Sequence, residues 1–169
     1  MSCLLIERIV TRIQDNDLVF TRKPIVIGGM AMEYYRMRKS GADIDLVISD
    51  EDYRALASNY PDKRKDIYGD LGLVIDELEI WRSIALMDYN FFLKDAIEEG
   101  SVFIVSLDRL LFMRVCAMEV KKYRKDLDRM KEYYYDHFRN QKFLQEANSH
   151  STSYDKAGGI IFRGRYIDE

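Results

Sequence analysis

Proline is scarce in this chain, at 2 of 169 residues, and so are cysteine (2), histidine (2) and tryptophan (1). Few prolines, with 47% hydrophobic and 33% charged residues, exclude a disordered or Pro-rich chain and indicate one globular domain with a short appendage. Cys3 and Cys116 stand far apart, which excludes a disulfide framework and metal-type cysteine spacing. Their reduced state fits a cytoplasmic setting. His137 and His150 alone cannot build a multi-histidine zinc centre. Long apolar runs are missing too. The longest, around residues 25–32, falls far short of the ~20 residues of a spanning helix, so no membrane association is expected. Glu7 and Arg8 follow the first apolar residues at once, unlike a signal peptide. Excess positive charge is absent: the net charge is −3, which argues against a strongly basic, nonspecific nucleic-acid binder.

What the chain does have is pattern. Leu5, Ile6, Ile9, Val10 and Ile13 share one face of a short amphipathic helix. The β-branched run Pro24-Ile25-Val26-Ile27 reads as a buried strand ending in the turn Gly28-Gly29. A helix over 30–37 and a loop over 39–42 follow. Residues 43–48 form a second strand, and Ser49-Asp50 cap a helix reaching about Ser58. Residues 62–70 read as a loop with a short extended piece. Strands are expected at 71–75, 78–83 and 102–105, with a helix over 88–98 ending at Gly100. From Ser106 to about Asn148 the pattern is helical, as two helices breaking near residues 123–126. The expected organisation is a core over 1–105, a helical part of the same domain over 106–149, and a tail over 150–169. That tail reads as disordered, with Ile160-Ile161-Phe162 as its candidate strand. The fold class is α/β (α+β): a mixed, twisted sheet of four or five strands with flanking helices and a helical C-terminal part.

The chemistry-bearing feature is Gly28-Gly29, then thirteen residues, then Asp43-Ile44-Asp45. Glycines let backbone N–H groups approach an anion closely, and the start of a helix favours phosphate. Asp43 and Asp45, at i and i+2 of a strand, share one face. Two carboxylates facing a phosphate cradle make a site for Mg²⁺ or Mn²⁺, which take oxygen ligands and keep substrate phosphates in their shell. Either motif alone is usually a turn or a solvated strand edge. The combination in a strand–turn–helix–loop–strand context is more specific.

With Arg38 and Ser40 just upstream of the acidic pair, this constellation resembles the nucleotidyltransferase superfamily, whose members share the DNA polymerase β-like catalytic fold. The Gly-Gly-Met-Ala start is most similar to AbiEii-type, toxin-like nucleotidyltransferases and related uncharacterised bacterial proteins. The motif covers about residues 25–48, and the order of elements carries a weaker similarity to about residue 135. The resemblance implies that Gly28 and Gly29 hold the nucleotide, that Asp43 and Asp45 bind the metals, and that Arg38 and Ser40 lie beside the phosphates. It also implies a third carboxylate on a neighbouring strand, with Asp76, Glu77 and Glu79 as candidates. Glu79 is preferred because a charged residue amid Leu78, Ile80 and Trp81 needs a partner. A phosphate-binding lysine is expected among Lys121, Lys122 and Lys125, the similarity falling on Lys125 and Asp126.

The activity implied is transfer of a nucleoside monophosphate from a nucleoside triphosphate to a hydroxyl, with release of pyrophosphate. The acceptor is left open between an RNA 3′ end, a protein and a small molecule, and an antitoxin-type protein is a candidate partner. The alternative is a catalytically inactive nucleotide-binding or protein-interaction module of the same fold. Blander expectations complete the reading. Trp81, Met113, Cys116 and Met118 are core residues. Tyr34 or Tyr35 lines the pocket. Tyr133-Tyr134-Tyr135 with His137 and Phe138 are helix packing or a base-stacking surface.

Overall fold

The computed structural model describes residues 2–67, 70–138 and 149. The chain divides into two compact units, residues 1–127 and 128–169.

The first unit is built on a mixed sheet. Its strands are β1 (Ile25–Val26), β2 (Ile44–Val47), β3 (Arg64–Ile67), β4 (Asp70–Ile75), β5 (Leu78–Ile84), β6 (Met87–Asp88), β7 (Ile97–Glu99) and β8 (Val102–Ile104). The order across the sheet is β3-β4-β5-β2-β1-β8-β7, with β6 added to β5. β1 and β2 pair antiparallel, whereas β1 with β8 and β2 with β5 pair parallel. These central strands are buried, with Ile25, Val26, Leu46, Val47, Leu78, Ile80 and Ile104 at or below 1% exposure. That explains their near-continuous apolar character.

The helices are α1 (Ser2–Asp15), α2 (Gly28–Tyr34), α3 (Asp50–Asn59), α4 (Tyr89–Leu93), α5 (Leu107–Cys116) and α6 (Lys121–Phe138). α1 buries Leu5, Ile9 and Ile13, the face its spacing predicts. It packs on α2, which packs on β2; α3 lies against β5 and α4 against β1. Ser49 caps α3 as expected: its Oγ accepts from Asp52 N and donates to Asp52 Oδ2. Asp52 also accepts from the backbone N–H of Thr21 and Arg22, tying the approach to β1 onto α3.

Three expectations are corrected. The sheet has eight strands among the described residues, not four or five: β6 and β7 are two- and three-residue additions too short to show a period, and β3 lies in the polar stretch read as a loop with a short extended piece. The helix expected over 88–98 is only α4, capped by Asp88. After it the chain turns through Asp95, at φ +58°, into β7, which pairs with β8. The break in the C-terminal helices lies at residues 117–120, not 123–126. Three hydrogen-bonded turns there are closed by Arg124 Nε donating to Met118 O. No Gly or Pro marks this turn. Its position starts α6 in a phase that buries Asp126. The expected helix beyond residue 138, the tail and its 160–162 strand lie outside the described residues.

Candidate active site

β2 and β5 run parallel with Asp45 directly opposite Glu79. Their side chains face a cavity of about 440 Å³, lined by both carboxylates and by Gly28, Lys65, Trp81 and Arg114. On its other walls are Ile84, Met87, Met113, Ala117 and Val120. One side is therefore acidic with two cations beside it, and the rest is mostly apolar, with Asp70 and Tyr123 as its polar residues.

The tightness of this floor explains Gly28. Its φ is +63°, and any Cβ there would collide with Asp45 Oδ2. Glycine at 28 is thus the residue that lets the strand–turn–helix corner close over the Asp45 carboxylate. Burial pushes the Asp45 carboxyl up to about 6, and the negative charge of Glu79 pushes the same way. Arg114 opposes the shift. Glu79 is half-buried, and Lys65 Nζ lies 3.0 Å from its Oε1. The same ammonium stands 5.1 Å above the Trp81 ring. Around Asp45 and Glu79, then, like charges are crowded together and only partly neutralised.

Beside the cavity lies a second charge cluster. Arg38 grips Asp126 with two hydrogen bonds, Nε to Oδ1 at 2.6 Å and Nη2 to Oδ2 at 3.0 Å. Arg114 Nε lies 3.2 Å from Asp126 Oδ2. Asp126 and Arg114 side chains are 1% and 5% exposed. Asp126 raises the pKa of Arg38, while burial lowers that of Arg114. Ser40 is held by Glu33, whose Oε2 accepts from both Ser40 N and Ser40 Oγ and whose carboxyl is pulled down by these bonds.

The sequence-derived candidates therefore fall into two groups. Gly28, Asp45 and Glu79 meet at the cavity. Arg38 and Asp126 form the adjoining ion cluster, and the loop carrying Arg38 and Ser40 lies at van der Waals distance from the position a Gly29 Cβ would take. Asp43 precedes β2 and is exposed outside the cavity lining, as is Lys125 on α6. Asp76 and Glu77 form the turn between β4 and β5, with Asp76 at φ +50° and Glu77 in an ion pair with Arg12.

Further corrections follow. Tyr34 and Tyr35 do not line the cavity: Tyr34 Oη donates to Glu99 and Tyr35 Oη to Val105 O. Burial and the Glu99 bond push the Tyr34 phenol up to about 12. Cys116 and Met118 are exposed rather than core, because the chain leaves α5 at this point, whereas Met113 is buried. In the second unit, the Tyr133 and His137 rings stack at 3.9 Å.

Arg114, Lys65 and Trp81, with Asp70 and Tyr123, are among the cavity residues that sequence reasoning did not assign to the site. Arg114 carried a signal, a charge four residues after Leu110 on the buried face of α5. Lys65, inside the run Lys63-Arg64-Lys65-Asp66, carried none.

An Mg²⁺ or Mn²⁺ ion suits the donor chemistry of Asp45 and Glu79, two adjacent carboxylates whose mutual repulsion a cation relieves. No group of three His, Cys, Asp or Glu side chains that could hold a metal ion is found among the described residues. Magnesium is commonly held by one or two carboxylates, with waters and substrate phosphates completing its shell. No helix among the described residues is long and apolar enough to cross a membrane. Compared with family models, curated proteins and solved structures, the chain matches none.

Proposed function

We propose that this chain is a metal-dependent nucleotidyltransferase. It transfers a nucleoside monophosphate from a nucleoside triphosphate to a hydroxyl of an acceptor, which is an RNA 3′ end, a protein or a small molecule. The hydroxyl oxygen bonds to the α-phosphorus, the bond to the pyrophosphate leaving group breaks, and the hydroxyl proton is lost to a base. The observation that carries this reading is the Asp45–Glu79 pair, set side by side on parallel strands at the floor of a cavity.

A divalent cation on these carboxylates supplies electrostatic stabilisation of the charge that develops on the transferred phosphoryl group. Gly28 keeps Asp45 at the cavity wall. Arg114 places a buried guanidinium beside the carboxylates, where it favours an anion such as a phosphate. Arg38 and Asp126 fix Arg114 and the 36–42 loop in place. Asp43, exposed just before β2 and two residues from Asp45, is a further candidate ligand.

The test is calorimetric titration of the wild type and Asp45→Asn with each of the four nucleoside triphosphates, with and without Mg²⁺ or Mn²⁺. Expected is metal-dependent binding that the variant loses by at least about 100-fold, a single charged ligand of a buried site contributing on the order of 3 kcal/mol. Equal binding by the variant, or binding indifferent to the cation, overturns the reading.

Lys65 favours the inactive-module alternative, because its ammonium already pairs with Glu79. Pyrophosphate release decides between them: nucleotide binding without any release in the presence of cell RNA and protein selects the module.

A further inference from the structure

An acceptor must bring one hydroxyl to Asp45 and Glu79 while the rest of it stays outside the cavity, so the rim decides what kind of acceptor fits. One side of that rim is the stretch from the end of α5 into α6. Cys116, Ala117, Val120 and Tyr123 line the cavity. Lys121, Lys122, Arg124 and Lys125, next to them in the chain, are exposed. Lys121, Arg124 and Lys125 are spaced by three and four residues and share the outer face of the first turns of α6, with Lys122 alongside. The inner face carries Asp126, 1% exposed, and Tyr123, whose ring lies 4.4 Å from the Arg114 guanidinium. Arg38 ties a second basic segment to this turn. It grips Asp126 and also donates from Nη1 to Lys39 O at 3.1 Å, which sets the exposed Lys39 beside the start of α6. Arg8, exposed as well, reaches the same loop by donating to Gly41 O.

These cations are not matched by acids. None of Lys39, Lys121, Lys122, Arg124 and Lys125 forms an ion pair with a carboxylate among the described residues, whereas Arg12, Lys23, Arg54 and Arg82 each meet one. Glu119 is the only carboxylate over residues 109–125, and Asp43 is the exposed acid on the loop side. In a chain of net charge −3 such a surface does not follow from composition.

We infer that the acceptor is a single-stranded nucleic acid: the first turns of α6 and the Lys39 loop hold its phosphates, and its terminal hydroxyl enters the cavity. Regularly spaced phosphates on a flexible strand match a row of compact ammonium groups. A strand is also thin enough to put one end into a space of about 440 Å³, which a folded protein is not. A small molecule held inside the cavity would make no use of charges outside it. The strand's hydroxyl oxygen bonds to the α-phosphorus, pyrophosphate leaves, and the hydroxyl proton passes to a base. This rests on the nucleotidyl-transfer reading above and narrows its acceptor.

The full chain, without nucleotide or metal, is titrated into a 5′-fluorescent single-stranded oligonucleotide of about a dozen residues, as RNA and as DNA. Anisotropy gives Kd between about 50 and 300 mM KCl. Expected is a slope of log affinity against log salt of about −2 to −3, at about 0.7 for each of three or four phosphates contacted. Lys121→Glu/Lys122→Glu should weaken the strand by about tenfold or more near 0.1 M salt and make the slope shallower by about 1 to 1.5. Equal binding of RNA and DNA supports recognition through phosphates alone, and tighter RNA adds the 2′-hydroxyl to the contacts.

Absence of strand binding at the lowest salt overturns the inference. So does a loss in the variant that is as large for nucleoside triphosphate, measured by calorimetry, since the two lysines then serve the triphosphate. Displacement of the strand by poly-glutamate as readily as by unlabelled strand of equal charge also overturns it, because the surface then fits an acidic protein equally well. Strand binding by a wild type that binds no nucleotide overturns nucleotidyl transfer, and with it the acceptor role, while the strand surface stands. The wild-type salt slope needs no substitution, so a misfolded variant does not block the decision.

Discussion

Two charge clusters lie side by side in the first unit, and they are built on opposite principles. At Asp126, two guanidiniums close on one carboxylate through a bidentate bond and a 3.2 Å ion pair. At Asp45 and Glu79, two carboxylates are pressed together and one half-exposed ammonium touches only the second. The first arrangement satisfies its anion from within the protein. The second leaves charge unbalanced at a cavity wall, which is how sites that await a ligand differ from structural ion clusters. Arg114 belongs to both: it pairs with Asp126 and lines the cavity.

The largest effect comes from breaking the closed cluster. Asp126→Asn leaves Arg38 without its bidentate partner and the buried Arg114 cation without its ion-pair partner. Removing one partner of a buried pair costs about 3–5 kcal/mol. Urea unfolding of the variant, monitored by circular dichroism, is expected to show an unfolding free energy lowered by that amount, read as a lower midpoint at an unchanged slope. A loss below about 1 kcal/mol would mean that the cluster contributes no more than an exposed ion pair.

The open cluster responds with the opposite sign. Asp45 has its folded-state pKa raised to about 6, so its ionised form opposes folding. The folded state therefore binds more protons than the unfolded chain between pH ~4 and pH ~6. Through this group stability is greatest at low pH and falls as pH rises across that window, by about 1–3 kcal/mol. Asp45→Asn removes the term. In a metal-free buffer the variant is expected to be more stable than the wild type at pH 7, with the gain fading towards pH 4. Asp52 contributes in the other direction. Burial works against its charge, but the Thr21 and Arg22 N–H groups and the Ser49 hydroxyl hold its pKa below the usual value. Its contribution is present above the unfolded carboxylate range and is lost on acidification, so the comparison must be made between Asp45→Asn and wild type at each pH. A variant less stable than wild type at pH 7 would contradict the picture of a frustrated acid pair.

The open cluster was more legible in the sequence than the closed one. Gly28, Asp45 and Glu79 were readable because each breaks a local rule: a glycine ends a strand, and carboxylates punctuate buried strands. The parallel register that sets Asp45 against Glu79 is a long-range pairing, and alternation alone does not give it. Arg38 and Asp126 were singled out separately, but their union across 88 residues was invisible. The turn at 117–120 has no breaker residue, and its place follows from burying Asp126. β7 escaped because its three residues, Ile97-Glu98-Glu99, carry two charges and become a strand only by pairing with β8.

The smallest expected effect tests how open the second cluster is. Lys65 and Glu79 side chains are each 29% exposed, so their ion pair contributes about 0.5–1 kcal/mol at most, and Lys65→Met should lower stability by no more than that. Its effect on ligands separates two roles for the lysine. If the ammonium competes with a divalent cation for Glu79, removing it relieves about 1 kcal/mol of charge repulsion, and Mn²⁺ should bind roughly fivefold more tightly. If Lys65 is instead a fixed counter-ion that replaces a metal, Lys65→Met leaves two buried carboxylates with less compensation. Its unfolding free energy then falls by well over about 1 kcal/mol and no Mn²⁺ affinity appears. Electron paramagnetic resonance of Mn²⁺ with wild type and Lys65→Met, read beside their urea midpoints, distinguishes a cavity that awaits a cation from one already closed by its own lysine.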